Sequence, residues 1–226
     1  MLRFVWALAL GCATASGGDG FVELFNHRNL DGWEVIGDGV WHVLSDGTLV
    51  GERDLRPVLH DAPFLHGEPA AYRAWLNLQS WLYTTRNDFG QFDLHVEYWV
   101  RAGGNSGVSI RDTSRAKYAV MLPVDYRKTP SKIGYEIQIN NRYPDQYPTG
   151  SIYTFQKAAG DFLKENDWNA MDIESRTGQI RVKLNGHLVA EHPGDPARSK
   201  TGPIGLQLHD QVTTVMFRSV RIREIQ

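Results

Sequence analysis

Short runs in which apolar and polar residues alternate one by one follow each other along most of the chain. The clearest run, residues 92–100, places Phe, Leu, Val, Tyr and Val on one side and Asp, His, Glu and Trp on the other. Successive side chains of a strand point to opposite faces, so this run predicts a β-strand with one buried face. Similar runs occur at 106–111, 134–140, 180–184 and 204–209. The pattern predicts a mostly β protein.

Turn signals divide the runs from one another. The pair Asn185-Gly186 follows one apolar run and precedes another, which predicts a hairpin closed by a two-residue turn. The last run changes its alternation between Phe217 and Val220, which indicates a β-bulge. No repeat of fixed period and no low-complexity linker interrupts the series, so residues 19–226 are predicted to form a single domain.

Two segments lack the strand pattern and are expected to be long loops over the sheet. The first, residues 53–80, is rich in Pro and His and is expected to contain one helical turn around residues 70–76. The second covers residues 112–133 and separates two of the alternating runs. Long loops on a rigid sheet often carry specificity, but these sequences do not indicate for which ligand.

Three of the runs carry unusual polar residues opposite their apolar ones. A solvated sheet would show mostly Lys, Glu and Thr there, whereas this face carries Ser109, Arg111, Glu136, Gln138, Asn140, Gln207 and His209. If the runs are neighbours, these groups converge within roughly 5 to 10 Å. The mixture suits the hydroxyls of a sugar, with Trp81 and Tyr83 as candidate stacking residues at the rim. The ordinary alternative is a solvated face on which Arg111 pairs with Glu136.

Composition narrows the class of ligand. The 226 residues include 24 Lys and Arg against 26 Asp and Glu, so no excess of positive charge favours nucleic acid. A hydrophobic fraction of 42% is enough for a sizeable core. Aromatic residues make up 11% and are accompanied by 22 Gly and 10 Pro, which favours strands and turns over helices.

The N-terminal 18 residues are predicted to be an export signal. One Arg precedes an apolar run from residue 4 to residue 10, which is too short to span a bilayer. Two forms of processing fit the small residues that follow: cleavage after the A-x-A pattern at 13–15, or lipidation of Cys12 within ALGC. Cys12 is the only cysteine. The mature domain is expected in the bacterial periplasm, on the outer membrane as a lipoprotein, or outside the cell.

A series of motifs resembles one known family. FVELFNHRNLDGW, GTLVG, SWLYTTRNDFGQFDLHVEYWV, GGNSGVSIR, GYEIQI, TGSIYTF, DWNAMDI, VKLNGHLV and GPIGLQLHD occur in this order, and together they resemble the 3-keto-disaccharide hydrolase domain family over residues 21–225. The resemblance implies an all-β fold, a concanavalin-like jelly roll of two antiparallel sheets, with substrate on the concave sheet. The segment before Trp81 and the loop at 112–133 depart from the family pattern.

The resemblance also separates this chain from laminarinase-type glycoside hydrolases of the same fold. Their strand motif has the form E-x-D-x-x-E, whereas residues 136–141 read Glu, Ile, Gln, Ile, Asn, Asn. Ordinary glycoside hydrolysis generally needs two carboxyl groups about 5 to 9 Å apart. A single Glu beside Gln cannot fill both roles, so a conventional endoglucanase is disfavoured.

A 3-keto sugar removes the need for a second carboxyl group. The ketone acidifies the hydrogen on C2, so one base and one positive or donating group near the ketone oxygen suffice for elimination at C1, and water can then add. The hypothesis assigns the base to Glu136 or His209 and leaves the choice open. Arg111 or a bound cation would stabilise the enolate. Asn105, Ser109, Gln138 and Gln207 would bind the substrate.

Cofactor and partner predictions follow from the same residues. Oxygen and imidazole ligands are compatible with a divalent cation, but no spaced motif identifies one. The expected partner is a carbohydrate, with membrane anchoring through Cys12 as a further option. A carbohydrate-binding module without catalysis is the main rival, because this fold also makes lectins. A lectin needs amides and stacking aromatics, but no group that removes a proton from carbon.

Overall fold

A computed structural model of the protein describes residues 19–54 and 78–225. This part of the chain contains thirteen β-strands and one short helix, α1, at Pro130–Ile133. The strands are β1 Val22–Glu23, β2 Trp33–Ile36, β3 Gly39–Val43, β4 Leu49–Arg53, β5 Ser80–Thr84, β6 Phe92–Val100, β7 Asn105–Ile110, β8 Tyr135–Asn140, β9 Asn169–Arg176, β10 Gln179–Leu184, β11 His187–His192, β12 Ile204–Leu208 and β13 Val215–Glu224.

Eight strands form the larger of two sheets. Its order is β11-β10-β9-β6-β13-β4-β3, and β1 pairs with β13 beside this path. Along β6, β9 and β10 buried residues alternate with half-buried ones, so one face packs on the core while the other meets solvent. This pattern is the one that the sequence predicted for residues 92–100.

Five strands form the smaller sheet, in the order β2-β5-β12-β7-β8. Its neighbouring strands pair antiparallel throughout. Every residue of β5, β7, β8 and β12 is buried, although β7, β8 and β12 carry Asn, Ser, Glu or Gln on one face. The apolar side of these strands packs against the larger sheet in one continuous core. Their polar side is therefore covered by other parts of the chain, and it is not a solvated surface.

The predicted fold class is confirmed: the described chain is an all-β sandwich of two antiparallel sheets. The bulge is confirmed too, because the pairing of β13 with β6 shifts register between Phe217 and Ser219. The predicted hairpin joins β10 to β11. Asn185 and Gly186 both adopt positive φ, 50° and 86°, as the tight turn of such a hairpin requires.

The second predicted loop, 112–133, is a series of turns that ends in α1, which the sequence pattern did not predict. Most of the first predicted loop, including the helical turn expected at 70–76, lies outside the described residues, as do Cys12 and the N-terminal 18 residues. Within residues 19–54 and 78–225, no helix has the length and apolarity needed to cross a membrane.

Candidate functional site

Strand register brings the predicted polar residues together on the outward face of the smaller sheet. Glu136 of β8 lies opposite Ser109 of β7, and Ser109 in turn lies opposite Gly205 of β12. Gln207, two residues beyond Gly205, lies opposite Trp81 of β5. The side chains on this face belong to residues of one parity in each strand, because side chains alternate along a strand. The three runs are therefore neighbours in one sheet, as the predicted site required.

A glycine on β7 leaves room for the central carboxylate. A Cβ atom at Gly107 would lie 3.0 Å from Oε1 of Glu136 and 3.3 Å from Oε1 of Gln207. Both distances are tighter than ordinary van der Waals contact. The Glu136 and Gln207 side chains therefore converge above the Gly107 backbone, where any larger residue would displace them.

The polar face borders a cavity of about 290 Å³. This volume is at the small end of the range for small-molecule sites. The side chains that line the cavity include Asn105, Lys132, Glu136, Gln138, Tyr153 and His209. Four of them were predicted from the sequence, and they come from β7, β8 and the residue after β12. The cavity is thus built by three neighbouring strands and by the loops that cover them.

Glu136 is buried in a polar setting. Burial raises the pKa of its carboxyl from 4.5 to about 8, and the negative charges of Asp145 and Asp112 act in the same direction. The neighbouring Gln207 amide opposes this shift by hydrogen bonding to the charged form. A carboxyl group with a pKa near neutral pH can accept a proton and release it again under ordinary conditions.

Amide and hydroxyl groups surround this carboxyl. The Gln138 amide donates a hydrogen bond of 3.2 Å to Oδ1 of Asn105. Within the described residues, Oε1 of Gln207 and Oγ of Ser109 are buried and have no hydrogen-bond partner. Buried polar atoms are normally paired, so these two are exceptions, although neither residue is in the lining of the cavity. The predicted substrate-binding residues Asn105, Ser109, Gln138 and Gln207 all lie at this face.

His209 forms another wall of the cavity. Its ring packs edge-on against Tyr143, with the centroids 5.4 Å apart. Its Nδ1 lies 3.5 Å from a carboxylate oxygen of Asp210, and its side chain is 20% exposed. The imidazole is therefore held in place from two sides while it remains accessible to a molecule in the cavity.

Arg111 was predicted on the polar face, and the structure places it elsewhere. Strand β7 ends at Ile110, and Arg111 adopts a φ of 59°, which breaks the alternation of the strand. Its Nη2 donates to the carbonyl oxygen of Arg176, at the end of β9 in the larger sheet. Burial lowers the pKa of this guanidinium. Among the described residues, Arg111 makes no ion pair with Glu136, and its guanidinium is directed to the end of β9 instead.

Trp81 and Tyr83 were predicted as stacking residues, but neither ring is open to a ligand. Both are fully buried and pack with Ala116 and Ala119 of the loop at 112–133. The phenol of Tyr83 donates a hydrogen bond of 2.7 Å to the carboxylate of Asp112, at the start of the same loop. These two residues anchor the loop on the sheet. The loop in turn closes this half of the polar face.

Seven residues of the cavity were not found from the sequence: Gln79, Tyr126, Thr129, Ser131, Lys132, Tyr153 and Thr154. Lys132 belongs to α1, and Tyr153 and Thr154 belong to a segment that runs along the free edge of β8. The backbone N–H of Tyr153 donates to the carbonyl of Glu136, and Thr154 adopts a φ of 68° that is strained for its type. The motif TGSIYTF contains Tyr153 and Thr154, but its apolar and polar residues do not alternate, so the pattern did not place these side chains at the cavity.

A metal site is not apparent in this part of the chain. Among residues 19–54 and 78–225, no three His, Cys, Asp or Glu side chains are grouped so that they could hold a metal ion. The prediction that a divalent cation is compatible with the site remains a prediction.

Solved structures of similar fold include proteins that are linked to carbohydrates. Two crystal structures from Parabacteroides distasonis, each provisionally described as a glycosyl hydrolase, have TM-scores of 0.64 and 0.63 and identities of 18% and 23%. They cover 92% and 91% of this chain and 95% and 99% of their own. The carbohydrate-binding module CBM66 from Bacillus subtilis has a TM-score of 0.53 at 14% identity, with coverage of 85% and 96%. At these identities the similarity shows the fold alone.

None of the curated protein sequences compared with the chain matches it. A family model does match: the one described as the 3-keto-alpha-glucoside-1,2-lyase-like domain aligns with residues 20–223. The matched range extends from before β1 to the penultimate residue of β13, so it includes both sheets and all residues of the cavity described above. By this match the chain belongs to the 3-keto-alpha-glucoside-1,2-lyase-like domain family.

Proposed function

We propose that this protein cleaves 3-keto glycosides by removing the proton on C2 and eliminating the group on C1. The single observation that carries the proposal is Glu136: one buried carboxyl with a pKa of about 8, in a cavity lined by amides and a histidine. Family membership supports the substrate class and the elimination across C1 and C2. One carboxyl group suffices for this reaction, whereas ordinary glycoside hydrolysis generally needs two.

In the first step, the ionised Glu136 takes the proton from C2 and the electron pair of the C–H bond forms an enolate with the C3 ketone. The ketone oxygen then carries negative charge, and donors near it lower the barrier. Lys132 is a cation in the cavity wall, and the amides of Gln138 and Asn105 lie beside Glu136. These groups take the role that the sequence hypothesis gave to Arg111.

In the second step, the enolate collapses, the C3 carbonyl forms again and a C1–C2 double bond replaces the bond from C1 to the leaving oxygen. We assign His209 as the donor that protonates this oxygen, because its imidazole lies in the same cavity, at the end of β12, whereas Glu136 lies on β8. Water that adds to C1, with return of a proton to C2, converts the enone into the free 3-keto sugar. The sum of the two stages is hydrolysis.

The test uses a 3-keto disaccharide and its unoxidised parent, with cleavage and exchange at C2 both measured in D₂O by NMR. The protein is expected to cleave only the keto sugar. Glu136→Gln is expected to lose C2 exchange and cleavage together by at least about 100-fold, the usual contribution of a general base. His209→Ala should keep C2 exchange and lose cleavage.

The matched control is Glu174→Gln, which alters a carboxylate on the outer face of the larger sheet and should leave both rates unchanged. If His209→Ala stops C2 exchange while Glu136→Gln does not, the two roles are reversed. Saturable binding without exchange or cleavage of either sugar would instead make the protein a carbohydrate-binding module.

A further inference from the structure

A second cavity lies at the β8 edge of the smaller sheet, and its volume is also about 290 Å³. We call it the edge cavity. Its lining includes Asn140, Tyr143, Asp145, Asp161, Phe162 and Leu163. None of these side chains has a role in the proton transfers proposed above. The edge cavity therefore requires its own explanation.

The edge cavity and the Glu136 cavity share a wall. Asn140 points to the same face of β8 as Glu136 and Gln138, because the three residues are two positions apart. Tyr143 lines the edge cavity, and its ring contacts His209 of the Glu136 cavity. Asp145 also lines the edge cavity and accepts a hydrogen bond of 3.1 Å from the Tyr153 phenol. The linings of the two cavities are therefore in direct contact through the pairs Tyr143–His209 and Asp145–Tyr153.

The lining of the edge cavity suits a sugar ring. The carboxylates of Asp145 and Asp161 and the amide of Asn140 can bind hydroxyl groups, while Phe162 and Leu163 offer apolar surface for the C–H groups of a ring. The side chain of Asp161 is 64% exposed, so the cavity opens to solvent. A sugar ring carries hydroxyl groups at its edge and apolar C–H groups on its faces, and the cavity offers polar and apolar side chains for the two.

Arg142 joins the two loops that form the mouth of the edge cavity. Its guanidinium lies 3.0 Å from Asp161 and 2.7 Å from Glu165. Its backbone adopts a φ of 60°, a strained conformation for a residue other than glycine. Asp161 lines the cavity, whereas Glu165 makes the same ion pair from outside the lining. A substitution of Asp161 therefore alters the cavity lining and the ion pair, whereas a substitution of Glu165 alters only the ion pair with Arg142.

We infer that the edge cavity is the subsite for the leaving group and that it binds a second sugar ring. The inference rests on the proposed function, and it assigns a place in the fold to the leaving group of the glycoside. A 3-keto glycoside with a small alkyl leaving group would occupy the Glu136 cavity alone. Recognition of the second ring would come from Asn140, Asp145 and Asp161, with Phe162 against the face of the ring.

The experiment compares Asp161→Asn with Glu165→Gln on two substrates, a 3-keto disaccharide and methyl 3-keto-glucoside. Asp161→Asn is expected to lower kcat/KM for the disaccharide about tenfold, as for loss of one hydrogen bond to a charged group, and to leave the methyl glycoside unchanged. Glu165→Gln should change neither. Both acids are on the surface and both pair with Arg142, so an effect on folding would appear in both variants.

Equal losses on the two substrates, or no loss on either, would overturn the subsite while the proposed function stands. If the unmodified protein cleaves neither substrate, the proposed function fails instead. Binding of the same two sugars is therefore followed in parallel by NMR titration. In that case the subsite is supported if Asp161→Asn weakens binding of the disaccharide alone, and it is overturned if binding of both sugars is unaffected.

Discussion

Glu136 shows how one residue can be costly to the fold and useful to the site. A carboxyl group removed from water is destabilised in its charged form, and the amides around it compensate only in part. Its neighbours Asp112 and Asp145 are negative and add to the effect. The fold therefore keeps a proton on this group up to about pH 8, and it releases the proton only at a cost in stability.

Because ionisation of the buried Glu136 destabilises the fold, we expect Glu136→Gln to stabilise the protein at alkaline pH. The unfolded group has a pKa of about 4.5 and the folded one about 8, so the native state binds more protons between these values and stability falls as pH rises through that window. Gln carries no charge and avoids this loss. Denaturant unfolding at pH 9 should show a gain of a few kcal/mol for the variant, since each pKa unit is worth about 1.36 kcal/mol.

At pH 4.5 the same comparison should show a much smaller difference, because the side chain is neutral in both native states. A variant that is equally or less stable than the parent protein at pH 9 would contradict the burial cost that we assign to Glu136. In the active protein, the rate of exchange at C2, which needs only the base, should rise with pH towards a plateau above about pH 8, since Glu136 must be ionised.

At the scale of a single element, β12 depends on glycine to pass beneath an aromatic ring. A Cβ atom at Gly205 would lie 2.5 Å from Cε1 of Tyr83, closer than any real contact of this kind. Gly205→Ala should therefore displace the ring or the strand and cost about 1 to 3 kcal/mol. Because Tyr83 holds Asp112, the loop at 112–133 should loosen as well. Thermal unfolding and limited proteolysis of the variant measure the two effects.

Gly178→Ala provides the matched control. Gly178 lies in the turn between β9 and β10, and a Cβ atom there meets nothing within 4 Å. The control is expected to change the free energy of unfolding by less than about 0.5 kcal/mol, as for a surface substitution. Equal losses for the two glycines would mean that chain flexibility, not the contact with Tyr83, sets the cost.

On the outer face of the larger sheet, His95 of β6 lies directly opposite Asp172 of β9. Nδ1 of His95 donates a hydrogen bond of 2.6 Å to the carboxylate of Asp172, and this bond raises the pKa of His95 above 6.5. Burial and Arg221 oppose the shift, and Glu97 adds a smaller contribution to it. A raised histidine pKa gives stability that is present in full below pH 6.5 and is lost as pH rises through the folded value.

His95→Gln should therefore destabilise the protein more at pH 5.5 than at pH 8.5, and Asp172→Asn should show the same trend. Urea unfolding at the two pH values measures the difference. A loss that stays constant between pH 5.5 and pH 8.5 would show that packing of the ring, rather than its charge, stabilises the pair.

At the scale of the whole molecule, both sheets contribute to one apolar core. Ile137 of β8 and Leu206 of β12 in the smaller sheet belong to the same cluster as Val96 of β6 and Phe217 of β13 in the larger sheet. Neither sheet can keep its buried face covered without the other. The described part of the chain is therefore expected to unfold as one cooperative unit, and the single domain remains a prediction that such an experiment can test.

Ile137→Ala tests this expectation from one side of the core. The loss of a buried Ile side chain should cost about 2 to 5 kcal/mol and lower the unfolding midpoint by tryptophan fluorescence and by circular dichroism equally. Val96→Ala, in the opposite sheet, should lower both signals in parallel too. Two separate transitions in either variant would show that the sheets unfold independently.

Much of the fold could be predicted from local sequence because strand geometry links neighbouring positions. Alternation at residues 92–100 placed each side chain on its face, and the break near Phe217 placed the bulge. The same rule placed Glu136 and Gln138 together. The rule fails where a strand ends: Arg111 follows β7 with a positive φ, so its side chain leaves the polar face although its parity is right.

The sequence by itself determined the all-β class, the face on which each strand residue lies, and the set of amides beside a single carboxyl, because these depend on the alternating geometry of the backbone. Only the tertiary structure decided that this face is covered, which raises the pKa of Glu136, and that the loop at 112–133 buries Trp81 and Tyr83. It also brought Lys132 and Tyr153 to the cavity. Burial and contacts between distant segments depend on how loops pack over the sheet, and no local pattern encodes that packing.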